Sequence, residues 1–261
     1  MYNLEEFLSL LDSFAPLRLS NEMINKGAYD NSGIIVKSHD RIEKILFTID
    51  LSQSAVERAK SENCDTIVTH HPAIYAPISN LGVTNDTRAL LDAVKFGLNV
   101  ISMHLNLDVA PCGIDHSLSL ALKGKNQKIL DVIEDGAGYG REAIVAKQEI
   151  EDFVSAIKCE LKSENIIFYG KGKVEKIASF CGSGSSDAVK QITQKNTDAD
   201  TVITSDVPHH NLLALIESGV KVVIVPHYVA ENYGFYKFYQ SVSQKLEFGT
   251  QAYYFTDKRF M

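Results

Sequence analysis

Asp65-Thr66-Ile67-Val68-Thr69-His70-His71-Pro72 is the stretch from which the fold of this chain is read. Its first half is a short run of β-branched and apolar residues, the signature of a buried strand. Its second half sets two imidazoles and a proline at the end of that strand. Alternation along an extended backbone sends His70 and His71 in opposite directions. Pro72 keeps His71 out of the helical region as the chain leaves the sheet. Working outward, Lys44–Asp50 reads as a preceding strand, and Ser52 caps a helix through Ala55, Val56 and Ala59. Downstream, a helix is predicted over about 87–96, with Leu90, Leu91 and Val94 on one face and Gly97 at its end. Val100–Met103 follows as a third strand. Short apolar strands separated by helices predict a mainly parallel sheet.

The pattern then recurs. Lys176-Ile177 opens a strand as Lys44-Ile45 does, and Asp200-Thr201-Val202-Ile203-Thr204 echoes Asp65–Thr69. A helix with Leu212, Leu213, Leu215 and Ile216 ends at Gly219. Val222–Val225 runs out at His227 as Val100–Met103 runs out at His104. The offset is about 120 to 135 residues, with two copies, so the reading is duplication rather than a solenoid. Two βαβ units can look alike through shared physics alone; matching strand-end residues favour duplication. Residues 123–147, rich in glycine and charge, read as a loop or linker. A long helix is expected over about 229–245 and a last strand over 251–255. The fold class is α/β: two interlinked, pseudo-duplicated domains with mainly parallel mixed sheets and a metal site in the cleft between them. The first is placed at residues 1–124, with 225–261 packing back on it, and the second at 125–224.

The 261 residues are 45% hydrophobic and 23% charged with a net charge of −7, an ordinary globular composition with no Lys/Arg cluster to hold nucleic acid. No apolar run approaches a membrane span. Met1–Phe14 reads as an amphipathic helix, not as a signal or transit peptide. Four scattered cysteines suit a reducing cytoplasm.

Seven of the eight histidines lie in or near the strand-end segments. His104 and Asp108 are four apart, although Asn106 and Pro111 suggest a loop there. His227 and Glu231 are four apart at a helix start, hence on one face. Imidazole with carboxylate suits zinc, manganese, iron or nickel, and scattered cysteines exclude a four-thiolate zinc site. Asp206, His209 and His210 form a further cluster. It either lines the same cleft or supports the ligands, or Asp206 caps the helix that holds His209. Phe180–Ser186 is a Gly/Ser loop that reads as a tight turn or a phosphate cradle; it lacks the lysine of a full phosphate-binding signature. An amidohydrolase-type barrel would want a His-x-His strand, which is absent.

Five segments, IVTHHPAIY (67–75), HLNLDVAPCGID (104–115), CGSGSSDAV (181–189), VITSDVPHH (202–210) and VPHYVAENYG (225–234), resemble the Nif-three-like family. Its members also carry the name GTP cyclohydrolase 1 type 2 homologue. YDNSGIIV (29–36) resembles an early Asp-Asn-x-Gly segment of the same family, so the match runs from about 29 to 235. The resemblance implies a two-domain α/β subunit with a dinuclear metal centre, assembled as a toroidal homohexamer. Carried over, the ligands fall on His70, His71, Asp108, His227 and Glu231, with His104 close by. His71 and Asp108 would hold one ion, His70 and His227 the other, and Glu231 would bridge them. The chain departs from the family pattern at Cys112, commonly glycine, and at Gly140-Arg141-Glu142, a degenerate Gly-Arg-Ile-Gly. The implied activity is a metal-dependent hydrolase acting on a small nucleotide or phosphoester, with Asp206 or His209 as candidates for orienting the substrate. The alternative is a non-catalytic metal-binding or protein-interaction assembly.

Overall fold

The computed structural model describes residues 2–261, apart from the side chains of Asn85 and Asp86. In chain order it opens with β1 (Tyr2–Asn3), α1 (Leu4–Phe14), α2 (Leu17–Asn25), β2 (Gly33–Val36), β3 (Arg41–Ile42) and β4 (Lys44–Thr48). It continues through α3 (Gln53–Ser61), β5 (Thr66–Thr69), α4 (Asn85–Lys95), β6 (Asn99–Ser102), α5 (Leu105–Val109) and α6 (Ile114–Ala121). Then come β7 (Lys125–Glu134), β8 (Ala137–Glu149), α7 (Ile150–Leu161), β9 (Ile167–Tyr169), β10 (Lys173–Ser179) and α8 (Ser185–Thr193). The chain ends with β11 (Thr201–Thr204), α9 (His209–Glu217), β12 (Lys221–Ile224), α10 (His227–Ser243), β13 (Gln251–Tyr254) and a short 3-10 turn. The residues fall into two compact units: the chain up to Leu107 with Phe235–Lys258, and Asp108–Gly234 with Arg259–Met261. The expected N-terminal helix is α1; Met1 lies outside the described residues.

In the first unit β13, β4, β5 and β6 run parallel in that order, with β2 antiparallel at the edge. All four residues of β5 and of β6 are buried, with Ile67-Val68 and Val100-Ile101 as the apolar centres between polar ends. Ser52 caps α3 by accepting from the Ala55 amide at 3.2 Å. Leu46, Val56, Ala59, Ile67, Ala93 and Val100 form the core under α3 and α4.

The second unit repeats this arrangement. β10, β11 and β12 are parallel, and β9 closes the edge antiparallel to β12 as β2 does to β6. Ala178, Phe180, Ala188, Val202, Leu215 and Val222 fill its core. The duplication extends to single hydrogen bonds. Asp65 Oδ2 accepts from the amides of Glu43 and Lys44 at 2.7 and 2.8 Å. Asp200 Oδ2 accepts from the amides of Glu175 and Lys176 at 2.9 and 2.8 Å. The next residue in each copy, Thr66 or Thr201, donates its hydroxyl to the other carboxylate oxygen. Met103 N donates to Thr69 O and Val225 N to Thr204 O, so His71 and Asp206 hold equivalent places two residues on.

Two expectations are corrected. Residues 123–147 are no linker: β7 and β8 form a hairpin that extends the second sheet, with β8 pairing β10 antiparallel. The Asp135-Gly136 turn is a hairpin signal, and the other glycines serve packing rather than flexibility. Gly140 has φ +72°, and a Cβ there would lie 2.4 Å from the Phe180 ring. The segment after His104 is also not a loop. Leu107 N donates to His104 O at 2.8 Å and starts α5, whose Leu107 and Val109 are buried.

Candidate metal centre

In the first unit the ends of β5 and β6 deliver three imidazoles. His70 is fully buried, and the ring centroids of His70, His71 and His104 lie 4.9 to 5.7 Å apart. One donor atom from each falls within 4.8 Å of the others. Every ring is held through Nδ1: His70 by the Met103 carbonyl at 2.8 Å, His71 by Asp50 Oδ1 at 2.7 Å, and His104 by Asp30 Oδ1 at 2.7 Å. An imidazole that donates from Nδ1 keeps its lone pair on Nε2, the usual arrangement of metal-binding histidines. Asp30 also accepts from the hydroxyls of Ser20 and Ser32. Burial works to raise its pKa, but these bonds and the His104 charge outweigh it and hold the carboxyl at about 2.

In the second unit Asp108 lies in α5, buried, and accepts from the Cys181 thiol at 3.5 Å. His227 opens α10; its Nδ1 hydrogen-bonds to Asp206, and its Nε2 lies 2.9 Å from Glu231 Oε1. Glu231 is 2% exposed and is packed against the turn after β10. A Cβ on Gly182 would come within 2.6 Å of Glu231 Oε1, and the residue has φ +58°, so only glycine lets this turn approach the carboxylate. The turn is fixed from below. Cys181 N donates to Asp115 Oδ1 at 3.2 Å, and the Tyr139 hydroxyl donates to Cys181 O. Burial pushes the Asp115 carboxyl up to about 7, against the opposing pull of Arg141, whose Nε is 3.4 Å away. The Cys181 thiol is likewise pushed up by burial, then by Asp108.

In the Gly/Ser turn the Ser183 and Ser185 hydroxyls donate to the Asp206 carboxylate and carbonyl. Asp206 does not cap α9, which begins after Pro208 with no side-chain cap. The structure brings Asp206 to His227 and leaves His209 and His210 exposed on the first turn of α9. Asp30 and Asp50 carry no sequence signal of a role beside the imidazoles. Asp30 lies within the quoted Asp-Asn-x-Gly segment, which gave it no role; Asp50 has no local signal, because its partner is 21 residues on.

The family model DUF34/NIF3 (NGG1p interacting factor 3) matches residues 2–258. The chain belongs to this family. Two relatives are proteins named GTP cyclohydrolase 1 type 2 homolog. The one from Clostridium perfringens is 27% identical over 257 residues, covering 94% of this chain and 92% of the relative. The one from Methanocaldococcus jannaschii is 29% identical over 249 residues, covering 93% and 96%. A Bacillus cereus protein related to NIF3 has the same fold, with a TM-score of 0.84 at 16% identity over 98% of this chain and 97% of that one. As a DUF34/NIF3 protein, the chain carries the mixed α/β fold of its structural neighbours. Its donor sets fit a divalent cation: imidazoles oriented through Nδ1, with buried carboxylates in the second unit.

Proposed function

We propose that this protein is a metal-dependent hydrolase whose centre is dinuclear, with His70, His71, Asp108, His227 and Glu231 as ligands. The observation that carries this reading is the orientation of the imidazoles. His71 and His227 are both held at Nδ1 by carboxylates, Asp50 and Asp206, and His70 is held by a main-chain carbonyl. α5 carries Asp108 four residues after His104, and α10 carries Glu231 four residues after His227. When bound, a pair of divalent cations supplies Lewis acidity and lowers the pKa of coordinated water. The chain's part is to hold each imidazole in the donor tautomer, to keep Glu231 in a buried, glycine-floored pocket, and to present a substrate between strand ends. A nucleotide or phosphoester is the substrate class we favour, handled by a cytoplasmic homo-oligomer, a toroidal hexamer. Zinc, iron, manganese and nickel are the candidate ions. Among the described residues no helix is long and apolar enough to cross a membrane.

Elemental analysis followed by a substrate panel with the native metal restored tests the proposal. His227→Ala and Glu231→Gln are expected to lose both metal and turnover while keeping the wild-type circular dichroism. Equal turnover in a metal-free variant would end it. The family description, an interacting factor, favours a second reading in which the centre serves recognition; a stable partner without turnover across the panel would select it.

A further inference from the structure

The two copies of the duplicated unit differ most where β5 gives way to α4. In the second copy the connection from β11 to α9 is residues 205–208; in the first, from β5 to α4, it is residues 70–84. Long connections without secondary structure of their own are uncommon in compact domains and often serve binding. This one carries Tyr75, 55% exposed, whose ring stands edge-on to that of Tyr29 at 5.1 Å. Tyr29 is itself 48% exposed and lies in the segment that supplies Asp30. The two segments are fastened together where Asn31 Nδ2 donates to Ile74 O at 2.7 Å. On the other side Tyr75 is edge-on to His104 at 6.3 Å, and His104 belongs to the imidazole cluster. An exposed pair of rings would normally cost solubility and is here held in place against the donors of a metal.

We propose that Tyr29 and Tyr75 form a stacking platform for a planar heteroaromatic ring, so the ligand of this centre is a nucleobase-bearing phosphate ester rather than a simple phosphoester. The inference rests on the reading of the centre as a substrate site. A ring lying on Tyr75 is beside His104, which brings the ligand to the edge of the imidazole cluster. Stacking is tolerant of which base is bound, because every base offers a π face. The aromatic pair therefore selects for a base without choosing among bases.

Calorimetric titration of the full chain with guanosine 5′-monophosphate and with ribose 5-phosphate tests this, with metal content measured on the same samples. The nucleotide is expected to bind roughly 10-fold or more tightly than the sugar phosphate. Tyr75→Ala should remove that difference, Tyr29→Ala should reduce it, and Tyr75→Phe should keep it, all with metal content unchanged. Equal binding of the two probes, binding of neither, or a difference that survives Tyr75→Ala overturns the proposal. So does a change confined to the oligomeric mass of the alanine variants, which would make the patch a contact between copies of this chain. A wild type that takes up none of the candidate metals and still prefers the nucleotide would refute the metal reading and leave the platform standing.

Discussion

Three aspartates determine what three histidines can do. Asp30, Asp50 and Asp206 accept hydrogen bonds from the Nδ1 of His104, His71 and His227 respectively. None of the three is in the ligand set that the family resemblance implies. Asp30 has a measurable signature of its own. Its carboxyl is held at about 2 against an ordinary value of 3.8, so its contribution to stability is complete above pH 4 and is lost as the pH falls towards 2. The shift corresponds to about 2 kcal/mol. Asp30→Asn should therefore flatten the acid limb of a stability-against-pH curve, measured by urea unfolding. An unchanged slope between pH 4 and 2 would show that the carboxylate is not paired as described.

At the scale of elements, the site is built from strand ends and helix starts. β4, β5 and β6 are adjacent and parallel, so Asp50, His71 and His104 emerge at the same edge of one sheet. Parallel strands gather chemistry in this way because their carboxyl ends are aligned. Replacing Asp50 by alanine should loosen the His71 ring and weaken metal binding 10- to 100-fold without removing a ligand. Competition with a chelator measures it, and an affinity equal to wild type would put the orientation of His71 elsewhere. The strand-end histidines could be picked out by eye, since each follows an apolar run. α5 was not, because Asn106 and Pro111 are turn-forming residues and the helix is a single turn secured by packing of Leu107 and Val109. The β7–β8 hairpin is not legible locally for a related reason. Its strands alternate weakly, and their place is set by pairing with β10, which is distant in sequence.

Across the whole molecule the duplication reaches beyond topology to hydrogen bonds. Asp65 and Asp200 each pin the start of the neighbouring strand through two amides. Asp65→Ala and Asp200→Ala should each leave two strand amides unpaired and cost about 1 to 3 kcal/mol. The partners are not shared, so in the double variant the costs should add. Thermal or urea unfolding decides it, and a large cost for one alone would make the equivalence only geometric. By itself the sequence determined the α/β alternation, the repeat and the residue types at the strand ends. Periodicity and turn chemistry are local, and a residue beside its neighbours carries that information. Tertiary structure alone decided that β2 and β9 close the sheets antiparallel, that Asp206 binds His227 rather than capping α9, and which acceptor holds each imidazole. Those facts depend on groups that meet only after the strands have paired, at separations for which local pattern has no signal.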